Sequence, residues 1–116
     1  MIKLLHIGLM VDGKNKGLSK ALRELTDYRE VALSDPDLVA KACSEDFDVC
    51  FMQVQSETVQ DKPTEELLAP VKEKGMVINW TGDIRNHTPH WMVRFNADIT
   101  AFSNQLDRDW ETKVLL

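Results

Sequence analysis

The stretch DFDVCFMQV, residues 46 to 54, decides the fold of this chain. It is the most hydrophobic strand-length run in the sequence, and its apolar residues are consecutive instead of alternating with polar ones. A strand has this pattern when both of its faces are buried, as happens in a parallel sheet that carries helices on each side. The stretch therefore predicts a strand of such a sheet.

Other strands are predicted before and after this stretch in the sequence. Apolar runs of strand length bounded by turn residues indicate them. The predicted strands are KLLHIGLM (3 to 10), a shorter YREVALS (28 to 34) near an edge, MVIN (76 to 79) and DITAFSN (98 to 104).

Helices are predicted between the strands from apolar residues at helical spacing. The first should begin near Leu18. The second has Ser34 or Asp35 as its cap and Pro36 in its first turn. In the third, TEELLAPVKEKG, Thr64 is the expected N-cap, Gly75 marks the end, and Pro70 predicts a kink or break.

This alternation of strands and helices predicts an α/β protein with right-handed crossovers. The expected architecture is a three-layer Rossmann-like or flavodoxin-like fold, with a mainly parallel sheet of about five strands and helices on both faces. With 116 residues, the chain is long enough for one hydrophobic core and too short for two ordinary domains. Residues 1–116 are therefore predicted to form a single domain.

Composition narrows the class of protein. Nineteen acidic and fourteen basic residues give a net charge of −5, which disfavours a protein that binds the phosphate backbone of nucleic acid. No apolar run has the roughly 20 residues of a membrane helix, and MIKLLHIGLM fits a strand better than a signal peptide. We expect a cytoplasmic protein. Cys43 and Cys50 are interpreted as buried free thiols, because no second pair of ligands suits a zinc site.

Ligands of parallel α/β sheets bind at the carboxyl ends of the strands, which selects the loops VDGKNKG, QSET, TGDIRNH and SNQLD. The first loop lacks the GxGxxG spacing of dinucleotide sites and, at Asn15, the hydroxyl of a P-loop. Phospho-receiver domains have an acidic pair after the first strand and a phosphorylatable Asp at the end of the third. Here the third strand ends in FMQVQ, so this class is excluded at the sequence level.

Residues 76 to 92, MVINWTGDIRNHTPHWM, concentrate aromatic and ionisable side chains around a TGD turn. Trp80 and Trp91 are either packing residues or, for Trp80, a surface on which a sugar ring stacks. Asp83 and Arg85 either bind hydroxyl or phosphate groups or pair with each other. A metal site is not favoured, because short-motif matches to metal ligands are often accidental.

The run NWTGDIRNHTPHWM, followed by DITAFSNQLD, resembles the amino-terminal half of GT-B glycosyltransferases of the group-1 and CgeB-like type. The opening KLLHIGLMVDGKNKGLSKAL resembles their first strand, loop and helix. The resemblance implies that residues 1–116 are the acceptor-side half of a two-domain transferase, inactive in isolation. Its nucleotide-sugar donor would bind mainly to a carboxyl-terminal domain that is absent here, and no metal or other cofactor would be needed.

The same resemblance implies the site residues. If the enzyme inverts the anomeric centre, Asp83 would be its general base, with Asp12 as the second candidate. The predicted substrate-binding residues are Gly13, Lys14, Asn15, Trp80, Thr81, Gly82, Arg85, His87, Ser103 and Asn104.

The predicted partners follow from this interpretation. They are a sugar-containing or other hydroxyl acceptor and the donor-binding domain, which would cover Trp80 and Trp91; a homodimer through these tryptophans is a further option. The alternative is a non-enzymatic Rossmann-like module that binds a small ligand or a protein, with the tryptophans as hot spots. A flavodoxin-like redox protein ranks last, because the phosphate loop is missing.

Overall fold

The computed structural model describes residues 1–8, 16–81 and 97–102. The elements in chain order are β1 (Lys3–Gly8), α1 (Lys16–Leu25), β2 (Asp27–Ala32), α2 (Leu38–Ser44), β3 (Val49–Met52), β4 (Thr58–Val59), β5 (Lys62–Pro63), α3 (Thr64–Lys72), β6 (Met76–Thr81) and β7 (Ile99–Phe102).

Five of these strands form one sheet in the order β2-β1-β3-β6-β7, and all neighbours in it run parallel. The predicted parallel α/β fold is therefore confirmed. Counting the strands of this sheet alone, the order is 2-1-3-4-5, which is the flavodoxin-like arrangement and not the 3-2-1-4-5-6 order of dinucleotide-binding folds. Successive strands are added on one side of β1 and then, from β3 onward, on its other side, so the strand order reverses between β1 and β3. Crevices at such switch points are where ligands of this fold class bind.

Alternate residues of the strands point to opposite faces of the sheet, and the hydrophobic core cluster lies on one of these faces. Leu5 and Ile7 of β1 belong to the core cluster, which also contains Cys50, Met52, Val77 and the α2 and α3 residues Leu38, Ala42, Leu68 and Val71. His6, between Leu5 and Ile7, points to the opposite face, where it meets Tyr28. Arg23 of α1 lies over the Tyr28 ring, so α1 covers the face opposite α2 and α3.

Two aspartates at the amino ends of strands complete the backbone hydrogen bonding of their neighbours. The backbone N–H of Lys3 donates to Asp48 Oδ2 at 2.9 Å, and that of Val77 donates to Asp98 Oδ2 at 2.7 Å. An unpaired N–H at a strand start would otherwise need water or remain unsatisfied. Asp48 and Asp98 therefore fix where neighbouring strands begin.

The second helix begins later than the sequence predicts. Asp37 is its N-cap residue, so Pro36 precedes the helix instead of occupying its first turn. Asp35 Oδ1 accepts a hydrogen bond from the backbone N–H of Asp37 at 2.8 Å, and Asp35 Oδ2 accepts one from Lys41 Nζ at 2.6 Å. The predicted caps, Ser34 and Asp35, are therefore wrong, because Asp35 stabilises the turn before the helix.

The third helix also differs at its start. Pro63 is the N-cap residue, and Thr64 lies inside the helix, where its Oγ1 donates to the Ser56 carbonyl at 2.8 Å. The helix continues through Pro70 and ends at Lys72. Pro70 lacks the N–H that would donate to the Glu66 carbonyl, and the helix ends two residues after it, so the predicted break occurs only at the end of the helix.

A short antiparallel hairpin, β4 with β5, occupies the stretch that the sequence predicts as a polar loop. Gln60 and Asp61, at its tip, both have left-handed backbone angles, with φ of 53° and 59°. Two consecutive left-handed residues are the requirement of a tight hairpin turn, usually met by Asn-Gly or Gly-Gly. Gln60 Nε2 also donates to the Asp35 carbonyl, which ties the hairpin to the loop after β2.

None of the helices formed by residues 1–8, 16–81 and 97–102 has the length and apolar character needed to cross a membrane.

Candidate functional site

The carboxyl ends of β1, β3 and β6 lie at one edge of the sheet, because these strands are parallel neighbours. Trp80 and Thr81, two predicted substrate-binding residues, are the last residues of β6 and therefore reach this edge. Trp80 is half-buried and is paired in register with Ala101 of β7. The sequence predicts that this strand ends at Asn79, whereas in the structure it extends through Trp80 to Thr81.

The remaining predicted site residues lie outside the described residues, and their placement stays a prediction. They are Asp12, Gly13, Lys14, Asn15, Gly82, Asp83, Arg85, His87, Ser103 and Asn104. Trp91 also lies outside.

Gln53, directly after β3, occupies the crevice between β1 and β3. Its backbone N–H donates to the Ile7 carbonyl at 3.0 Å, which continues the pairing of the two strands by one residue. Its side-chain Oε1 lies 2.8 Å from His6 Nε2. Gln53 is 5% exposed and His6 is fully buried, so this polar contact is closed off from water.

Gly8, the last residue of β1, leaves room for that contact. A Cβ at this position would lie 2.6 Å from His6 Nε2 and 2.8 Å from Gln53 Oε1. Both distances are far shorter than van der Waals contact, and both atoms belong to a hydrogen-bonded buried pair. A side chain at position 8 would therefore separate the imidazole from the amide.

The hydrogen bonds continue from His6 to the surface. His6 Nδ1 lies 2.7 Å from the Tyr28 hydroxyl, and that hydroxyl donates to Glu30 Oε2 at 2.8 Å. Glu30 Oε1 in turn accepts a hydrogen bond from Arg23 Nη2 at 3.0 Å. A connected set of polar side chains, which we call the His6 relay (Gln53, His6, Tyr28, Glu30 and Arg23), thus joins the end of β3 to the exposed side of α1.

Burial shifts the ionisation of two members of the relay. The pKa of His6 is lowered from 6.5, mainly because burial disfavours the charged imidazolium. The pKa of Tyr28 is raised to about 12 by burial and by its hydrogen bond to Glu30. Both groups are therefore neutral near pH 7.

Asn79, in β6, holds the segment that follows Gln53. Its Oδ1 accepts a hydrogen bond from the Val54 N–H at 3.0 Å, and its Nδ2 donates to the Val54 carbonyl at 3.2 Å. The side-chain amide thus substitutes for a neighbouring backbone strand. Because Asn79 is fully buried, this pairing fixes the path of the chain as it leaves the sheet.

An open groove of about 710 Å³ lies beside the outer strand β2. Its walls are Met1, Arg23, Thr26, Asp27, Tyr28 and Arg29. Two members of the His6 relay, Tyr28 and Arg23, line it, so the relay connects the end of β3 to this groove. Arg29 is 55% exposed and pairs with Asp27 at 2.9 Å.

In the sequence, His6 stands alone within an apolar strand, a position that favours a hydrogen-bonded core residue over a ligand, and the structure confirms this interpretation. The sequence does not single out Gln53 or Asn79. The sequence feature that could have revealed them is a polar residue within or at the end of an apolar run, namely Gln53 in FMQV and Asn79 in MVIN. Such residues must find partners when buried, although the sequence does not say which ones.

A scan against protein-family models finds no match, and a search of curated protein sequences also finds none. Solved structures do match. The BeF3-activated DrrB receiver domain is similar at a TM-score of 0.62 and 18% identity over 91% of this chain and 88% of that chain. A CheY-like receiver domain protein from Methanospirillum hungatei gives 0.59 and 19% over 99% and 92%. A response regulator from Burkholderia pseudomallei, with a phosphorylated aspartic acid, gives 0.58 and 15% over 97% and 66%.

At these identities the likeness shows the fold, and that fold is the receiver fold and not that of a glycosyltransferase half. The predicted membership of the GT-B class is therefore wrong. So are the predicted transferase function and two of the predicted partners, the sugar acceptor and the donor-binding domain. The homodimer through the tryptophans stays a prediction. A short motif such as WTGD misled the sequence interpretation because doubly wound folds host many unrelated functions. The chain has the architecture of a CheY-like receiver domain.

Proposed function

We propose that this chain is a receiver-like module that binds a protein partner and does not pass through an aspartyl-phosphate state. One observation carries the proposal: Gln53 occupies the carboxyl end of β3, where receiver domains have their phosphorylatable Asp. An amide has no carboxylate oxygen to attack a phosphoryl group. Gln53 is also buried and in contact with His6, so its side chain is a structural part of the site.

The carboxyl end of β1 supports the same proposal. An acidic pair after the first strand, which receiver domains have, would follow Ile7 in this sequence, and the chain has Gly8 and Leu9 instead. Gly8 is closely packed against His6 and Gln53, which leaves no room there for a carboxylate side chain. The crevice between β1 and β3 is therefore adapted to a buried amide and imidazole.

The groove beside β2 is the surface that we assign to the partner. Its lining includes tyrosine, arginine and methionine, which are enriched at protein interfaces, and tyrosine and arginine are frequent hot spots. The groove is open and has many charged side chains, whereas small-molecule pockets are enclosed and mainly apolar. The module needs no cofactor for this role. We place it in the cytoplasm, where free thiols such as those of Cys43 and Cys50 stay reduced.

A phosphorylation assay tests the first half of the proposal. The protein is incubated with acetyl phosphate and Mg²⁺, and its intact mass is measured, with the DrrB receiver domain as positive control. We expect the control to gain a phosphoryl group and this chain to gain none. In parallel, addition of BeF3⁻ should leave the amide NMR spectrum of this chain unchanged. An acyl phosphate on this chain, released by hydroxylamine, would overturn the proposal.

Matched charge reversals test the second half. Arg29→Glu changes the groove, and Lys62→Glu makes the same charge change on the exposed hairpin. A partner isolated with the wild-type protein and then purified should bind the Lys62→Glu variant normally and the Arg29→Glu variant at least tenfold more weakly. Equal affinity for the two variants would show that the groove is not the binding surface.

A further inference from the structure

The His6 relay contains three consecutive contacts, each of which needs one hydrogen atom. They join Gln53 to His6, His6 to Tyr28, and Tyr28 to Glu30, at 2.8, 2.7 and 2.8 Å. All three distances are those of hydrogen bonds. The hydrogens available to fill them determine the direction of the whole relay.

The hydrogens can be counted from the Glu30 end. Arg23 donates to Glu30 Oε1, which favours the ionised carboxylate, so Glu30 accepts and does not supply a hydrogen. The single hydrogen of the Tyr28 hydroxyl goes to Glu30 Oε2. The contact between Tyr28 and His6 must therefore be made by a hydrogen on His6 Nδ1.

A neutral imidazole has then used its only hydrogen, and its Nε2 can only accept. An amide oxygen at 2.8 Å from such a nitrogen would place two acceptors against each other. A half-turn of the amide exchanges its oxygen and nitrogen at almost the same positions, and Gln53 Nε2 then donates to His6. When His6 takes a second proton, Nε2 becomes a donor, and the amide oxygen becomes the matching group.

We propose that the protonation state of His6 sets the orientation of the Gln53 amide and so makes the end of β3 a proton-controlled hydrogen-bonding group. With neutral His6, the amide nitrogen faces the imidazole and the amide oxygen is left for another donor. With protonated His6, the amide is reversed, and its nitrogen is left for another acceptor. The two states differ in polarity at one point and need no backbone movement.

The surroundings of His6 within the described residues favour the neutral state near pH 7. The groups around it are Gln53 after β3, the Phe51 ring at 5.7 Å, Tyr28 and Glu30 of β2, and Arg23 of α1. Burial has the largest effect on the pKa of His6 and disfavours the imidazolium, as does Arg23, whereas the contact with Gln53 and the charge of Glu30 favour it. The switch is therefore set to change on acidification. It does not depend on the identity of a partner or on the groove.

Replacing the amide by a carboxylate gives a sharp test. In Gln53→Glu the side chain can only accept, so His6 must donate through Nε2 as well as through Nδ1. We expect the pH midpoint of His6, followed by NMR of its ring protons, to rise by at least one unit, a tenfold gain in proton affinity. The control Gln55→Glu adds the same charge two residues further along the segment and should leave the midpoint unchanged.

Ring ¹⁵N chemical shifts at high pH provide a second test, which also serves if Gln53→Glu fails to fold. In the wild-type protein, neutral His6 should carry its proton on Nδ1. In Tyr28→Phe, Nδ1 loses its partner, and the proton should move to Nε2 and donate to the Gln53 oxygen. A wild-type His6 that is protonated on Nε2 at high pH would overturn the inference. So would a midpoint that is the same in Gln53→Glu and Gln55→Glu.

Discussion

The substitution Asn79→Asp probes the buried amide that holds the segment after β3. It keeps the shape of the side chain and the acceptor for the Val54 N–H, but it replaces the donor to the Val54 carbonyl by a second acceptor. A protonated Asp restores that donor, because its O–H takes the place of the amide N–H. The stability of the variant should therefore depend on pH, whereas that of a variant with an apolar side chain at this position should not.

The magnitude follows from the burial of the site. Asn79 is fully buried, and a buried carboxyl group has its pKa raised by up to about 3–5 units from an unfolded value near 3.9. A group whose folded pKa is raised costs nothing below its unfolded pKa, and its cost grows as the pH rises above it. At about 1.4 kcal/mol per pH unit, a shift of two units costs about 3 kcal/mol. If the folded pKa lies above 7, the carboxyl group stays protonated in the folded protein, and the cost near pH 7 reaches its maximum of about 4 kcal/mol.

Urea unfolding followed by tryptophan fluorescence near pH 7 and near pH 4.5 measures this difference from the wild-type protein. We expect a loss of about 3–4 kcal/mol at the higher pH and less than about 1 kcal/mol at the lower one. The control Asn79→Leu removes both hydrogen-bonding groups without adding a titratable one, so its loss should be the same at both values. An Asn79→Asp variant whose loss is independent of pH would refute the assigned pairing with Val54.

Three further substitutions or reactions test other parts of the structure. Gly8→Ala should lower the free energy of unfolding by about 1–3 kcal/mol, because its Cβ overlaps the buried imidazole and amide. The control Gly17→Ala, with open space around it, should be neutral or stabilising by up to about 1 kcal/mol. Equal effects of the two variants in urea unfolding would argue against the close packing at Gly8. Lys74→Met should cost about 1 kcal/mol, because Nζ donates to two carbonyls at the end of α2, and the exposed Lys62→Met should cost nothing measurable in the same assay. Cys50, whose thiol has its pKa raised to about 12 by burial, should resist iodoacetamide near pH 8 in the native protein and react once it is unfolded; rapid labelling of the native protein, detected by peptide mass spectrometry, would contradict its burial.

The fold was predictable from the sequence because its signal is local. The unbroken apolar run around β3 and the helical spacing in α1 each require only a few neighbouring residues to be interpreted. The hairpin was missed for the same reason, since Gln60 and Asp61 lack the glycine or asparagine that usually marks left-handed turns. Their conformation is supported by a contact with Asp35, 25 residues away.

The candidate site was less predictable because its partners are distant in sequence. His6 and Gln53 are 47 residues apart, and Asn79 and Val54 are 25 apart, so no local pattern reveals either pair. The motif around Asp83 was conspicuous and suggested a family, but a few residues in a loop do not determine which member of a widely used architecture a chain belongs to. Strand order provided the more reliable distinction.

The central place of β1 has a consequence for biosynthesis. The ribosome produces β1 before the other strands of the sheet, yet one of its two lateral neighbours, β3, is completed only at Met52. Until that residue leaves the exit tunnel, one edge of β1 is unpaired, and Leu5 and Ile7 lack the later members of their core cluster. Folding of the nascent chain is therefore delayed relative to its synthesis, as expected where pairing connects distant segments. A nascent polypeptide that stalls before Met52 would expose an apolar strand with an unpaired edge to chaperones and proteases.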